Sequence, residues 1–306
     1  MQELDKELLL GVADLHKTPK GAYSIRKNGE VIDRDTTANI DISTMLDKPG
    51  MIITVRNNTV NESIHIPVII TESNIKEVVN NDIYVGDNCD IVIVAGCGIH
   101  NDGDKSSEHN GQHLIQVGNN SKVKYIEKHL GQGKGNGGKI LNPSTRIVMG
   151  ENSVLTIETL QLGGVDKSIR NTVASVGKNS KLEINERILT EFDQIAETHF
   201  FVNLSGENSA TKVSSRSVAK GESRQEFYSN VEGNNTCFGH IECDAIIMDR
   251  ATVRSVPEIN ANDSNAVLTH EAVVGKIAGE QLIKLMTMGL DEQEAEKLII
   301  DGFLNK

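Results

Sequence analysis

Residue types able to hold a soft or borderline metal ion gather in two stretches of this 306-residue chain. The upstream stretch contains Cys89, then Cys97-Gly98-Ile99-His100, Glu108-His109, His113 and, further on, His129. A thiolate and an imidazole with two residues between them can share one ion, and a loop can bring His109 and His113 back to it. The downstream stretch is Cys237-Phe238-Gly239-His240-Ile241-Glu242-Cys243-Asp244, followed at a distance by His270-Glu271. On an extended strand, His240, Glu242 and Asp244 share one face, whereas Ile241, Cys243 and Ala245 share the other. Neither stretch has the paired Cys-x-x-Cys knuckles of a structural zinc site, and a free cysteine is often only a small buried hydrophobe. In a reducing compartment the four cysteines are expected as thiols, ligands or packing residues rather than disulfides.

Nucleotide chemistry is not expected. Gly133-Lys134-Gly135-Asn136-Gly137-Gly138-Lys139 meets the Gly, four residues, Gly-Lys part of a phosphate loop. Ile140 stands where Ser or Thr would hold magnesium, and Leu141-Asn142-Pro143 follows in place of a helix. The segment reads as a flexible loop.

A recurring turn phrase identifies the elements that must position these residues. Gly86-Asp87-Asn88-Cys89, Gly118-Asn119-Asn120-Ser121, Gly150-Glu151-Asn152-Ser153, Gly177-Lys178-Asn179-Ser180, Gly206-Glu207-Asn208-Ser209 and Gly233-Asn234-Asn235-Thr236 have glycines spaced 32, 32, 27, 29 and 27 residues apart. Glycine supplies positive φ and Asn tolerates it, so a corner is repeated at each step. Strand-like alternation follows each corner, as in Leu182, Ile184 and Ile188. A unit of this size cannot bury its own apolar face and must stack on its neighbours, which predicts a β-solenoid. A β-sandwich would show hairpin turns at much shorter spacing.

With no Trp and only 6 Phe and 4 Tyr in a 38% hydrophobic chain, the core is expected to be ladders of small aliphatics. A net charge of −12 argues against nucleic acid or an anionic membrane as partner. No apolar run approaches a bilayer span, and Met1-Gln2-Glu3-Leu4-Asp5-Lys6 lacks a signal peptide's order, so the expected location is cytoplasmic. Helical spacing of Leu4, Leu8, Leu9, Val12 and Leu15 predicts a short helix over residues 2–16, and two polar loops are expected at 101–110 and 131–138. Thr269 is the expected N-cap of a helix ending at Gly289, and Asp291 with Glu294 opens a second that ends at Gly302. The expected division is an N-terminal helical and extended segment at 1–40, a β-helix core at 41–265 and a C-terminal helical segment at 266–306.

Ser214-Ser215-Arg216-Ser217-Val218-Ala219-Lys220-Gly221, Gly239 to Ile247, and above all His270-Glu271-Ala272-Val273-Val274-Gly275-Lys276-Ile277-Ala278-Gly279-Glu280-Gln281-Leu282 closely resemble the SufB/SufD scaffold family of iron-sulfur cluster assembly. The resemblance continues from Met288-Gly289-Leu290 to Asp301-Gly302-Phe303. It is loose before Asp82 and tight after Ala196, and Ala95 to His100 looks like the short archaeal and anaerobe type. The resemblance implies a right-handed parallel β-helix that dimerises through its later strands and docks a SufC-type ABC ATPase on its C-terminal helices. It also implies an iron-sulfur cluster, with 4Fe-4S favoured, handed on to acceptor proteins. One departure is that Ala251 occupies the place of a functional cysteine in bacterial SufB, so the bacterial ligand set does not transfer whole. Cys243, Asp244, His270 and Glu271 match family positions.

The expected function is therefore a non-enzymatic cluster scaffold. Its expected site is Cys237 and Cys243 with Glu271 or His270 from the helix start and His240 and Glu242 on the adjoining strand; Cys97 and His100 are secondary metal candidates. The alternatives are a structural SufD-like subunit without its own cluster and a β-helix enzyme acting on polysaccharide. A dimer is expected through the strand His240 to Ile247.

Overall fold

A computed structural model describes residues 2–15, 19–277 and 279–304. The strands in chain order are β1 (Ala22–Lys27), β2 (Glu30–Asp35), β3 (Ile40–Thr44), β4 (Gly50–Val55), β5 (Val60–Ile70), β6 (Lys76–Val85), β7 (Asp90–His100), β8 (Ser107–Val117), β9 (Lys122–Gln132) and β10 (Lys139–Leu141). They continue with β11 (Ser144–Met149), β12 (Val154–Leu162), β13 (Lys167–Val176), β14 (Lys181–Thr190), β15 (Ile195–Leu204), β16 (Ser209–Ala219), β17 (Arg224–Gly233), β18 (Cys237–Ile247), β19 (Thr252–Ala261) and β20 (Ala266–Gly275). Helices α1 (Glu3–Ala13), α2 (Gly279–Thr287) and α3 (Glu292–Leu304) flank them.

From β4 on, with β10 and β11 as two pieces of one rung, successive strands alternate between two parallel walls, forming a β-solenoid of about 8 turns. One wall runs β5-β7-β9-β12-β14-β16-β18-β20, and the other runs β19-β17-β15-β13-β10-β8-β6-β4. The repeated phrase supplies one corner of each coil. Asn88, Asn120, Asn152, Asn179 and Asn208 all have φ between 54° and 57°, the left-handed conformation that Asn tolerates. Asn58, with φ 63°, makes the same corner in Arg56-Asn57-Asn58-Thr59, which has no glycine and so escapes the repeat pattern. The sixth phrase departs from the rule, since neither Asn234 nor Asn235 has positive φ.

The corner's last residue turns inward. Ser121, Ser153 and Ser180 each donate to the carbonyl of the glycine one coil back, at 2.8, 2.6 and 2.7 Å. Between the walls lie ladders of aliphatics, including Ile64, Ile93, Val123, Leu155, Leu182 and Val213. Stacking identical small branched side chains fills a narrow interior that aromatic rings would overfill.

The start of the chain covers the outer face of the first wall. Helix α1 buries Leu8, Leu9, Val12 and Ala13, and it lies so close that a Cβ on Gly96 would sit 2.4 Å from the Val12 carbonyl oxygen. Asp5 pairs with Lys27 at 2.7 Å and Asp14 with Lys128 at 2.5 Å. The helical reading of 2–16 thus ends at Ala13, and residue 16 lies outside the described residues. The 1–40 segment also contributes β1 and β2, which pair with each other and, through β1, with β5.

The expected helix from Thr269 is corrected. Residues 266–275 form β20, paired in parallel with β18, and helix begins only at Gly279. Val267, Thr269, Glu271 and Val273 alternate with Leu268, His270, Ala272 and Val274, so the run also has period two; ladder pairing with β18 selects the strand. Likewise, Ser107–Asn110 of the expected loop belongs to β8. The dimer reading also changes: β18 is paired on both sides, by β16 and β20, so its backbone is not a free edge. Among the described residues, the free edges at this end are β19 and β20.

Candidate functional site

The outer face of the last two coils brings a histidine and two carboxylates together. Ligand atoms of His240, Glu242 and Glu271 all lie within 4.8 Å of one another, the one such group of three or more among the described residues. Strand alternation sends His240 and Glu242 outward from β18, and in-register pairing of Glu242 with Glu271 places the second carboxylate beside them. The Nε2 of His240 is 3.4 Å from Glu271 Oε1, while its Nδ1 meets Thr269 Oγ1 at 2.9 Å. Burial would raise the Glu242 carboxyl, but the Lys212 contact at 3.2 Å and the charge of Arg216, also at 3.2 Å, hold it below the ordinary value. Burial and the charge of Glu242 raise Asp244.

The cysteines expected to join this site face the other way. Cys237 and Cys243 point into the core from the opposite side of β18. Along one strand six residues span about 20 Å. A single ion cannot be bound by both within one chain. Cys237 instead lies in register with Ser209 of the corner column, in which Cys89 follows Thr59 and its thiol reaches the Arg56 carbonyl at 3.2 Å. Burial raises the Cys237 thiol, and it raises the Cys243 thiol to about 11. His270 pairs in register with Ile241, whose side chain faces inward, so it does not stand on Glu271's face. It lies on a strand, where the expected helix dipole does not act on it.

The upstream candidates also separate. Cys97 is buried in the interior, whereas His100 pairs with exposed Asp102 at 2.8 Å on the opposite face. Cys97 instead lines a cavity of about 20 Å³ with His109, His113, Glu127, His129 and Asn81.

That cavity opens a buried polar seam that the sequence reading missed. Glu127, Thr159, Glu186, Ser215 and Cys243 occupy consecutive positions of one inward ladder. Arg170 reaches across from the other wall to Glu127 and lies 3.9 Å from Glu186. Thr198 and Ser215 donate to the two oxygens of Glu186, each at 2.8 Å. Burial opposes ionisation of Glu127, but Arg170 and His129 hold its carboxyl well below the usual range; burial leaves Glu186 raised despite Arg170. One guanidinium thus keeps the nearer carboxylate charged. Burial also lowers His113 to about 4, so that imidazole is neutral at neutral pH, and burial lowers His129 as well. The available signal was alternation: His113, Glu127 and His129 fall at inward positions of expected strands, whereas His109 lies in the segment expected as a loop, and only pairing between coils shows that they meet.

Comparisons with known proteins converge on one family. The family described as "SUF system FeS cluster assembly, SufBD core domain" matches residues 71–303. An iron-sulfur cluster assembly SufBD family protein of Methanocaldococcus jannaschii is 29% identical over 244 residues, covering 79% of this chain and 76% of the relative. One from Pyrococcus horikoshii is 30% identical over 204 residues, 66% of this chain and 61% of its own. A third, from Methanothermobacter thermautotrophicus, is 27% identical over 242 residues, 78% of this chain and 58% of the relative. The chain thus spans less than two thirds of the latter two relatives. With a solenoid that carries the His-Glu strand at its open end and a family match across most of its length, the chain belongs to the SufBD family of the SUF iron-sulfur cluster assembly system.

Proposed function

We propose that the chain is a non-enzymatic scaffold on which a nascent iron-sulfur cluster is held before transfer, working with a SufC-type ABC ATPase. The observation that carries this reading is the His240, Glu242 and Glu271 triad beside the uncovered strands β19 and β20. Imidazole and carboxylate donors suit ferrous iron as incoming cargo, and a cluster further needs thiolates. Cys243 lies on the inner face of the same strand, beneath β20. Displacing β20 would uncover it. Helix α2 starts four residues after β20 ends, so a force on the helices acts directly on that strand.

The C-terminal helices are suited to receive such a force. Helix α3 anchors to the solenoid through Ile300 and Leu304 against Val218 and through Glu296 with Lys220. Helix α2 buries no residue, and Ile283, Met286, Met288 and Leu298 remain exposed. An apolar helix surface held on an anchored partner is a helix-in-groove docking element. The open strand edges β19 and β20 fit a second copy of the chain.

Anaerobic reconstitution with ferrous iron and sulfide tests the cargo reading. Visible charge-transfer absorbance with matching iron and sulfide content is expected, and Cys243→Ser should lower both. A chain that takes up neither is instead a SufD-like structural subunit. The inward direction of both downstream cysteines favours that second reading.

A further inference from the structure

The donors around the upstream cavity play no part in the cargo reading. Cys97, His109, His113, Glu127 and Asn81 surround a space sufficient for one small ion or one water, and none is more than 9% exposed. Burying so many ligand-type groups at one point carries a desolvation cost.

The donors line one space without all lying within 4.8 Å of one another. Glu127 Oε1 lies 3.8 Å from His113 Nε2. Two ligands of a tetrahedral ion, each about 2.1 Å from it, are themselves about 3.4 Å apart. His109 and His113 both lean over Gly111, where a Cβ would meet His113 Nε2 at 2.6 Å and His109 Nε2 at 3.5 Å. A side chain at 111 would occupy the space those imidazole tips share. The donors are more widely spread than those of the outer triad, so binding draws the imidazoles inward.

The groups behind these donors are arranged to present them. His109 Nδ1 is 2.8 Å from Glu77 Oε1, and Arg26 stands 3.5 Å from the other Glu77 oxygen. Donating Nδ1–H to that carboxylate leaves the Nε2 lone pair facing the cavity, the outer-shell device that orients metal-ligating histidines. Arg170 takes Glu127 Oε2, leaving Oε1 between His129 Nε2 at 3.5 Å and His113 Nε2 at 3.8 Å. The Oδ1 of Asn81 is buried without a hydrogen-bond partner, although the amide nitrogen is 3.4 Å from His113 Nδ1. With the amide turned over, Asn81 would accept from Nδ1–H and free His113 Nε2 for an ion.

We propose that this cavity is a resident site for one first-row divalent transition cation, ferrous iron or zinc, held by His109, His113, Glu127 and Cys97. The two nitrogens, one oxygen and one sulfur suit those ions rather than calcium or magnesium. On binding, the Cys97 S–H bond breaks, a sulfur–metal bond forms and the proton leaves to solvent; no electron changes hands. The site is separate from the open end: reconstitution with iron and sulfide reads that one, whereas cobalt retention reads this one.

Cobalt(II) is the probe. The full chain produced in cobalt-supplemented medium and washed with chelator should retain one cobalt per chain, visible in its ligand-field bands and by elemental analysis. His109→Gln and His113→Gln should each lose it, and Cys97→Ser should lose the sulfur-to-cobalt charge-transfer band. The double variant His240→Ala with Glu271→Ala should keep it. A washed wild-type chain without cobalt overturns the proposal, as does cobalt lost from that double variant and kept by His113→Gln. X-ray absorption on the wild-type chain decides the matter even where a buried variant fails to fold: imidazole nitrogen and sulfur in the first shell support the site, and a shell without them overturns it.

Discussion

His240 on β18 and Glu271 on β20 face one another across a parallel strand pair, the imidazole Nε2 3.4 Å from a carboxylate oxygen. Thr269 fixes the ring from its other side, at 2.9 Å from Nδ1. If Nδ1–H is donated to that hydroxyl, the Nε2 lone pair faces the carboxylate, a repulsive arrangement that a shared proton or cation relieves.

Glu271→Ala should therefore weaken ferrous iron binding at the open end at least tenfold, about 1.4 kcal/mol. The Glu271 side chain is 65% exposed, so stability should change by no more than about 0.5 kcal/mol. Anaerobic iron titration against wild type checks the first part and a urea melt the second. Unchanged iron affinity would remove the triad from the cargo site.

Cys243 should make stability sensitive to alkaline pH. Burial raises its thiol to about 11 from an ordinary 9.0, with Glu186 and Asp244 adding to the effect. Because the folded value is the higher one, its contribution is complete below pH 9 and is lost as the pH rises toward 11, at most about 3 kcal/mol. Cys243→Ala should flatten that part of the decline in urea midpoints. Equal slopes in both proteins would show that the thiol is not held neutral by the core.

Arg170→Met should destabilise the fold by about 3–5 kcal/mol, because it leaves Glu127 buried beside Glu186 with no guanidinium to compensate it. Adding Glu127→Gln should recover part of the loss. Chemical denaturation of the two single variants and the double gives the coupling between them.

Phe192→Gly should stabilise the chain by about 1 kcal/mol. Phe192 has φ 56° and is 75% exposed, so glycine relieves left-handed strain with little loss of burial. A lower urea midpoint would show that the ring contributes packing that outweighs the strain.

Ile283→Glu with Met286→Glu should abolish co-purification of the proposed ABC ATPase partner and leave the melting temperature close to wild type, since both side chains are exposed on α2. Pull-down with the purified ATPase reads the first outcome. Retained binding would remove α2 from the docking surface.

The repeat of Gly, two polar residues and a small residue was enough to identify the solenoid, because a left-handed corner and an alternating strand are local demands that the chain states at each coil. The same local rule placed His240 and Glu242 together on one face of β18 and Cys243 on the other. It failed at β20, where Val267 to Val274 fits a strand and a helix alike, and pairing with β18 decides between them. The convergence of Glu271 on His240, the exclusion of Cys237 into the corner column, and the meeting of His113, Glu127 and Arg170 in the interior all depend on which residue of one coil lies over which residue of the next. Coils of 27 to 32 residues do not keep an identical offset, so that register is set only when the ladders pair and the core closes.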